Sequence, residues 1–228
     1  MKKALAFLEQ LSVNNNRPWF EQHKGEYLEA RAEFDAFVTR LIDGIRGFDD
    51  TIGPMTVKDC TYRIYRDVRF SKNKEPYKCH FGAFIAPGGR KAGNCGYYFQ
   101  ISAAKSGGWE VGHIVAVGDY MCDPKVVKVL REDIEFGGDE FDRIVRSADP
   151  RMVIDSSQSL KKVPSGCPKG TINEEYFKLR NFCLCYAPDT GTVLSKGFEN
   201  ELLKLFESAK PFKDYINRAI EYVREEER

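Results

Sequence analysis

The chain has 228 residues, 42% of them hydrophobic and 30% charged, which is enough for a sizeable core in one large domain or two small ones. With 35 basic and 34 acidic side chains the net charge is +1, so no global electrostatic pull toward nucleic acid or membrane operates. No run of about 18 apolar residues occurs, and a helical membrane span is therefore not expected.

Taken in chain order, Ala4 to Leu11 reads as a short helix that the run "NNNRP" interrupts. Asn16 is placed to cap the next helix, and Pro18 is tolerated in its first turn. From Trp19 through Phe34, Phe37, Leu41 and Ile45 the apolar residues recur at helical spacing. The pattern predicts one long amphipathic helix to Arg46, roughly 40 Å at 1.5 Å per residue, with Gly47 ending it.

The period then changes. Tyr62 to Phe70 alternates, and Cys79 to Ala86, Gly96 to Ala103 and Trp109 to Val117 follow. The segments SKNKEP, PGGRKAGN and KSGG between them are rich in turn residues. This predicts an antiparallel meander of about four strands. Helices return with Asp123 as cap and Pro124 at the start, then over Asp139 to Arg146. Thr171 and Glu174 have capping-box spacing ahead of a short helix. Phe182 to Tyr186 reads as one more strand, and Phe198 to Arg224 as a helical tail with Pro211 opening its second half. No long linker or internal repeat is visible. The expectation is a single α+β domain, residues 1–228, with helices covering an antiparallel sheet.

Within this frame the charge is unevenly placed. Residues 62–80, YRIYRDVRFSKNKEPYKCH, hold six Lys or Arg, two acids and four aromatics. Lys58 to Lys91 carries nine cations against Asp59, Asp67 and Glu75. If Tyr62 to Phe70 is a strand, Tyr62, Ile64, Arg66, Val68 and Phe70 share one face, and Arg63, Tyr65, Asp67 and Arg69 the other. Arg66 is then the misfit on an apolar face and needs a carboxylate, carbonyls or a ligand. Three readings stay open: a structural ion-pair network with a lysine-protected edge, an anion site, and acid/base catalysis.

The stretch RIYRDVRFSKNKEPYK resembles the signature of DUF2461, a domain-of-unknown-function family from bacteria and fungi. NNNRPWFEQHKGEY resembles that family's N-terminal motif, and LKKVPSG and the helical tail resemble its later parts. The resemblance runs from about Phe7 to the tail. It implies kinship and no known activity.

His23, His80 and His113 are scattered over a helix and separate strands, and without a paired carboxylate motif they predict no metal centre. His23 fits a semi-buried packing role and His113 a core or sheet position. His80 is the better base candidate, because its strand adjoins the cationic hairpin. No GxGxxG, P-loop or GxSxG is present, and no cofactor is predicted. The seven cysteines include no CxxC, and the N-terminus lacks the long apolar run of a signal peptide. A cytoplasmic protein with free thiols is expected.

The functional expectation is binding of a small phosphorylated or carboxylated ligand, a nucleotide among the candidates. Arg63, Arg66, Arg69, Lys72, Lys74 and Lys78 supply charge, Asp67 orients an arginine, Tyr77 packs on the ligand, and His80 stands beside them. The alternatives are phosphate-ester hydrolysis or transfer with His80 or Asp67 as base, and a module that meets an acidic protein partner. Long duplex nucleic acid and membrane are not expected partners.

Overall fold

The computed structural model of the chain describes residues 1–103 and 112–228. The KSGG turn and the expected strand start at Trp109 lie outside the described residues, apart from Gly112 onward. Among the described residues, ten helices and five strands form an α+β architecture, with strand order β1-β2-β3-β5-β4 and every neighbouring pair antiparallel.

The N-terminal helices are α1 (Lys2–Val13), α2 (Arg17–Gln22) and α3 (Lys24–Arg46). Asn16 caps α2 as expected, accepting a bond from Trp19 N at 3.0 Å. The single long helix expected from Trp19 is instead broken at His23, whose backbone leaves helical geometry at φ −105° and ψ 19°. Its Nδ1 lies 2.8 Å from the Trp19 carbonyl, and Gly25 follows, the residue with the least helical preference after proline. The stripe beyond the break buries Phe34, Phe37, Leu41 and Ile45 against the sheet.

The sheet runs β1 (His80–Ile85), β2 (Gly96–Ser102), β3 (Ile114–Asp119), β4 (Val153–Ile154) and β5 (Phe182–Tyr186). Alternation puts Phe81, Ala83, Tyr97, Phe99, Val115 and Val117 on the helix-covered face, where Phe34 meets Phe81 at 5.5 Å and Phe37 meets Phe99 at 5.4 Å between ring centres. The opposite face carries His80, Gly82, Tyr98, Gln100, Ser102 and Ala116. Gly118 has φ +151°, and a Cβ there would lie 2.1 Å from the Phe182 carbonyl oxygen on β5. Gly118→Ala is therefore expected to destabilise the fold by roughly 3 kcal/mol or more, since backbone must move on the next strand. An unchanged denaturation midpoint for this variant would show that β3 and β5 are not held this closely.

The expected first meander strand is a correction. Tyr62 to Phe70 forms no regular strand, only isolated bridges from Thr61 to Ala83 and from Tyr65 to Tyr77. Pro76 on the returning segment has no N–H to donate and only accepts, from Arg66 N at 2.9 Å. The loop's own side chains take further backbone groups, as when Lys74 Nζ donates to the Val68 carbonyl at 3.0 Å.

The later helices are α4 (Val57–Cys60), α5 (Pro124–Phe136), α6 (Glu140–Ser147), α7 (Glu174–Phe177), α8 (Thr190–Val193), α9 (Phe198–Ser208) and α10 (Lys210–Glu226). Asp123 caps α5 through Lys125 N at 2.8 Å. The Thr171–Glu174 capping box does not form. Asn173 is the residue before α7, its amide reaches back to the Ile134 carbonyl at 3.2 Å, and Glu174 accepts from Gly170 N instead. Tertiary bonding of Asn173 to the end of α5 thus overrides the local motif.

Candidate functional site

The basic segment lacks a ladder, yet its side chains still alternate. Tyr62, Ile64, Arg66 and Val68 turn inward to varying degrees, while Arg63, Tyr65, Asp67 and Arg69 are exposed. Two clamps hold it in place. Arg31 on α3 donates from Nη1 to the Tyr62 carbonyl at 2.8 Å, from Nη2 to Thr61 Oγ1, and from Nε to Asp35 at 2.8 Å. Asn15 between α1 and α2 takes both backbone groups of Tyr77, accepting from its N–H at 3.1 Å and donating to its carbonyl at 2.9 Å. Neither clamp is signalled by its local sequence, because Arg31 reads as a helix-surface residue and Asn15 as a turn residue.

On the sheet face away from the helices, the segment brings cations and rings together. Lys78 Nζ lies 5.4 Å and Arg90 Cζ 5.7 Å from the centre of the Tyr62 ring, within cation–π range. Tyr62 meets Tyr98 edge to face at 6.5 Å, and Tyr98 donates its hydroxyl to Gln100 Oε1 at 2.7 Å. A Cβ at Gly82 would lie 2.8 Å from that hydroxyl, so a larger residue there would make the Tyr98 ring shift. His80 sits on this face, 5% exposed. Burial first, and the charges of Lys78 and Arg66 second, push its pKa down to about 4. Its imidazole is neutral at physiological pH, so the positive charge around it comes from Lys78 and Arg66. Tyr62, Arg90, Tyr98 and Gln100 were not among the expected site residues, because the register that joins them is tertiary.

Arg66 has the least ordinary setting. Its side chain is 19% exposed, Glu75 approaches it at 3.6 Å, and it makes no side-chain hydrogen bond to any described residue. Glu75 also receives a 2.9 Å bond from Asn73. Arg31, at 18% exposure, has all three guanidinium nitrogens bonded.

The remaining expected site residues are distributed differently. Asp67 turns outward and holds Arg69 through bonds at 3.0 and 2.6 Å, which draw its pKa to about 2. It orients an arginine as expected, but on the exposed side, away from His80. Lys72 and Arg63 point to solvent, and no carboxylate of a described residue lies within ion-pairing distance of Arg63, Lys72 or Arg90. Lys74 closes the loop on Val68. Tyr77 is 3% exposed and stacked on Phe20 at 4.0 Å, so its ring is a core residue and not a platform for a ligand. Phe70, expected on the inward face, is 96% exposed.

His23 is stacked on Trp19 at 4.1 Å, and His113 is buried with Ser102 N donating to its Nδ1 at 3.3 Å and Thr190 Oγ1 3.1 Å from its Nε2. Among the described residues no group of three or more His, Cys, Asp or Glu is arranged to hold a metal ion, and no helix is long and apolar enough to cross a membrane. A separate surface hollow between the start of α1, α3 and α9 is lined by Lys2, Arg40, Lys196 and Glu199, but Arg40 is paired with Glu199 at 2.7 Å.

A family model described as "Conserved hypothetical protein (DUF2461)" matches residues 3–215. No curated protein and no solved structure matches the chain.

Proposed function

Because the chain belongs to the DUF2461 family, whose description assigns no activity, we propose a function from the site alone: binding of a small phosphorylated or carboxylated ligand at Arg66, beside His80 and Lys78, with Arg90 farther along the segment at the Tyr62 ring. The observation that carries it is Arg66. A guanidinium buried to this degree has five donors to satisfy, and Arg31 shows how the same protein satisfies one when the role is structural. Arg66 instead has only its 3.6 Å ion pair with Glu75 and shares the surroundings of His80 with Lys78, which leaves guanidinium donors to receive an anion. Asp67, bound to Arg69 on the opposite side of the segment, is not placed to share a proton-transfer role with His80, and this favours binding over hydrolysis.

The test is calorimetric titration of the full chain with pyrophosphate and with citrate at low salt. At least one is expected to bind tighter than millimolar, and to weaken as salt screens the exposed cations beyond about 8 Å at physiological ionic strength. Millimolar or weaker binding of both, or unchanged affinity in Arg66→Ala, would remove the site and leave a structural network.

A further inference from the structure

Backbone hydrogen bonds fix which side chains of the basic segment share a side. Arg66 N donates to the Pro76 carbonyl at 2.9 Å and Lys78 N to the Ile64 carbonyl at 2.8 Å, flanking the antiparallel Tyr65–Tyr77 bridge. Residues directly opposite in such a pairing project to the same side. Lys78 therefore stands opposite Ile64, on the side that Tyr62 and Arg66 share with it by alternation. Tyr65 and Tyr77 project the other way, their ring centres 5.4 Å apart and Tyr77 stacked on Phe20. Beyond Lys78 the Tyr62 ring has Lys78 Nζ at 5.4 Å and Arg90 Cζ at 5.7 Å from its centre, so these two charges are no more than about 11 Å apart. Arg66 is four residues from Tyr62, roughly 13 Å of extended chain. The order along this side is thus Arg66, Lys78, Tyr62, Arg90.

Arg90 repeats the circumstance of Arg66. It is half-buried, its Nη1 donates to the Lys58 carbonyl, and no other side-chain hydrogen bond joins it to a described residue. Asp59 is within its electrostatic reach, but that carboxylate accepts from Thr56 N and Thr56 Oγ1, both at 2.8 Å. A single anion at Arg66 leaves this second guanidinium unmatched. Resting on the anion-binding reading above, we infer that the ligand carries two separated anionic groups, in the class of a sugar bisphosphate: Arg66 and Lys78 hold one, Arg90 holds the other, and Tyr62 lies beneath the polar body that joins them. A tyrosine suits that place, because its ring packs on the C–H face of a sugar while the sugar hydroxyls stay in water.

The experiment is titration of the full chain at low salt with pyrophosphate, fructose 6-phosphate, fructose 1,6-bisphosphate and a short oligothymidylate. The bisphosphate is expected to bind about tenfold tighter than the monophosphate, the effect of one further charge-assisted contact. Arg90→Ala should bring that ratio close to one, and so should Arg90→Gln, which can still donate to the Lys58 carbonyl and so keeps the test open if the alanine variant does not fold. Lys91→Ala, which removes a charge from the exposed neighbour, should keep the ratio. Equal affinity for the two sugar phosphates, or a ratio that survives the Arg90 variants, overturns the inference and leaves the anion site at Arg66 standing. Binding of pyrophosphate without either sugar phosphate does the same. Equal losses in Arg90→Ala and Lys91→Ala overturn it as well, by reducing the preference to diffuse charge attraction. Failure of pyrophosphate and both sugar phosphates to bind overturns both readings. Oligothymidylate that binds tighter than the bisphosphate and is weakened by Arg90→Ala also overturns it, by assigning the row to single-stranded nucleic acid.

Discussion

Replacing Lys213 with methionine is expected to cost about 3–5 kcal/mol, a large part of the roughly 5–15 kcal/mol that holds an ordinary domain together. Lys213 and Asp49 are both 0% exposed and form an ion pair that joins α10 to the segment after α3. Asp49 also accepts from Tyr97 Oη at 2.8 Å and from Thr51 Oγ1 at 2.6 Å, while Lys213 donates to Thr51 Oγ1 at 2.9 Å and pairs with Asp214 at 3.0 Å. Removing the ammonium leaves a carboxylate in the core with two hydroxyls and the Thr51 N–H, at 3.1 Å, as its remaining donors. Asp49→Asn should cost less, because Asp214 stays within reach of Lys213. Combined with Lys213→Met it should recover part of the loss, as neither charge then remains unpaired. Thermal unfolding of the three variants measures this. A loss below about 1 kcal/mol for Lys213→Met, or simple additivity in the double variant, would mean the pair is not coupled in the folded protein.

The same group predicts acid sensitivity. Burial alone would raise the Asp49 pKa, but bonds from Lys213, Thr51 and Tyr97 outweigh it and hold the carboxyl below its ordinary value. Its folded pKa lies under its unfolded one. Its contribution is therefore fully present above the unfolded carboxylate range, near pH 4, and is lost as pH falls through the lower folded value.

Arg31→Ala and Arg66→Ala are expected to separate stability from binding. Arg31 makes three side-chain hydrogen bonds, and its loss leaves the Tyr62 carbonyl and Thr61 hydroxyl unpartnered by it. With charged hydrogen bonds worth roughly 1.5–3 kcal/mol each and not additive, a cost of about 2–4 kcal/mol is expected. Arg66 contributes only a 3.6 Å ion pair while holding a charge largely out of water, so its removal should change stability by less than about 1 kcal/mol. Ligand affinity should respond in the opposite order: Arg66→Ala loses roughly 10- to 100-fold from one or two charge-assisted bonds, whereas whatever Arg31→Ala does to binding follows from the segment it clamps. Unfolding and titration on the same two variants decide it. A destabilised Arg66→Ala with unaltered ligand binding would turn Arg66 into a structural residue.

By itself the sequence determined the α+β class and most element positions, because these rest on local period and local chemistry. The Asn16 and Asp123 caps, the strands near residues 80, 96 and 182, and the break between the last two helices near Pro211 are each legible within a few residues. The inward turn of Arg66 among apolar neighbours was legible too, since two-residue alternation survives from Tyr62 to Val68 although no strand forms, and fails at Phe70. Only the tertiary structure decided what Arg66 meets. The guanidinium that needs partners on this chain is satisfied at Arg31, contributed by a helix thirty residues earlier, and left open at Arg66. Tertiary packing likewise decided which aromatic is available. Tyr77 is drawn into the core by Phe20 and Asn15 from a distant turn, while Phe70 is left in solvent because the loop closes on its own hydrogen bonds. It also decided that Lys213, one more lysine in a polar helix by its neighbours, lies buried against Asp49. A local pattern fixes which way a side chain points, but the partner it finds there comes from segments far away in sequence, and pairing, burial and charge balance are set only when those segments meet.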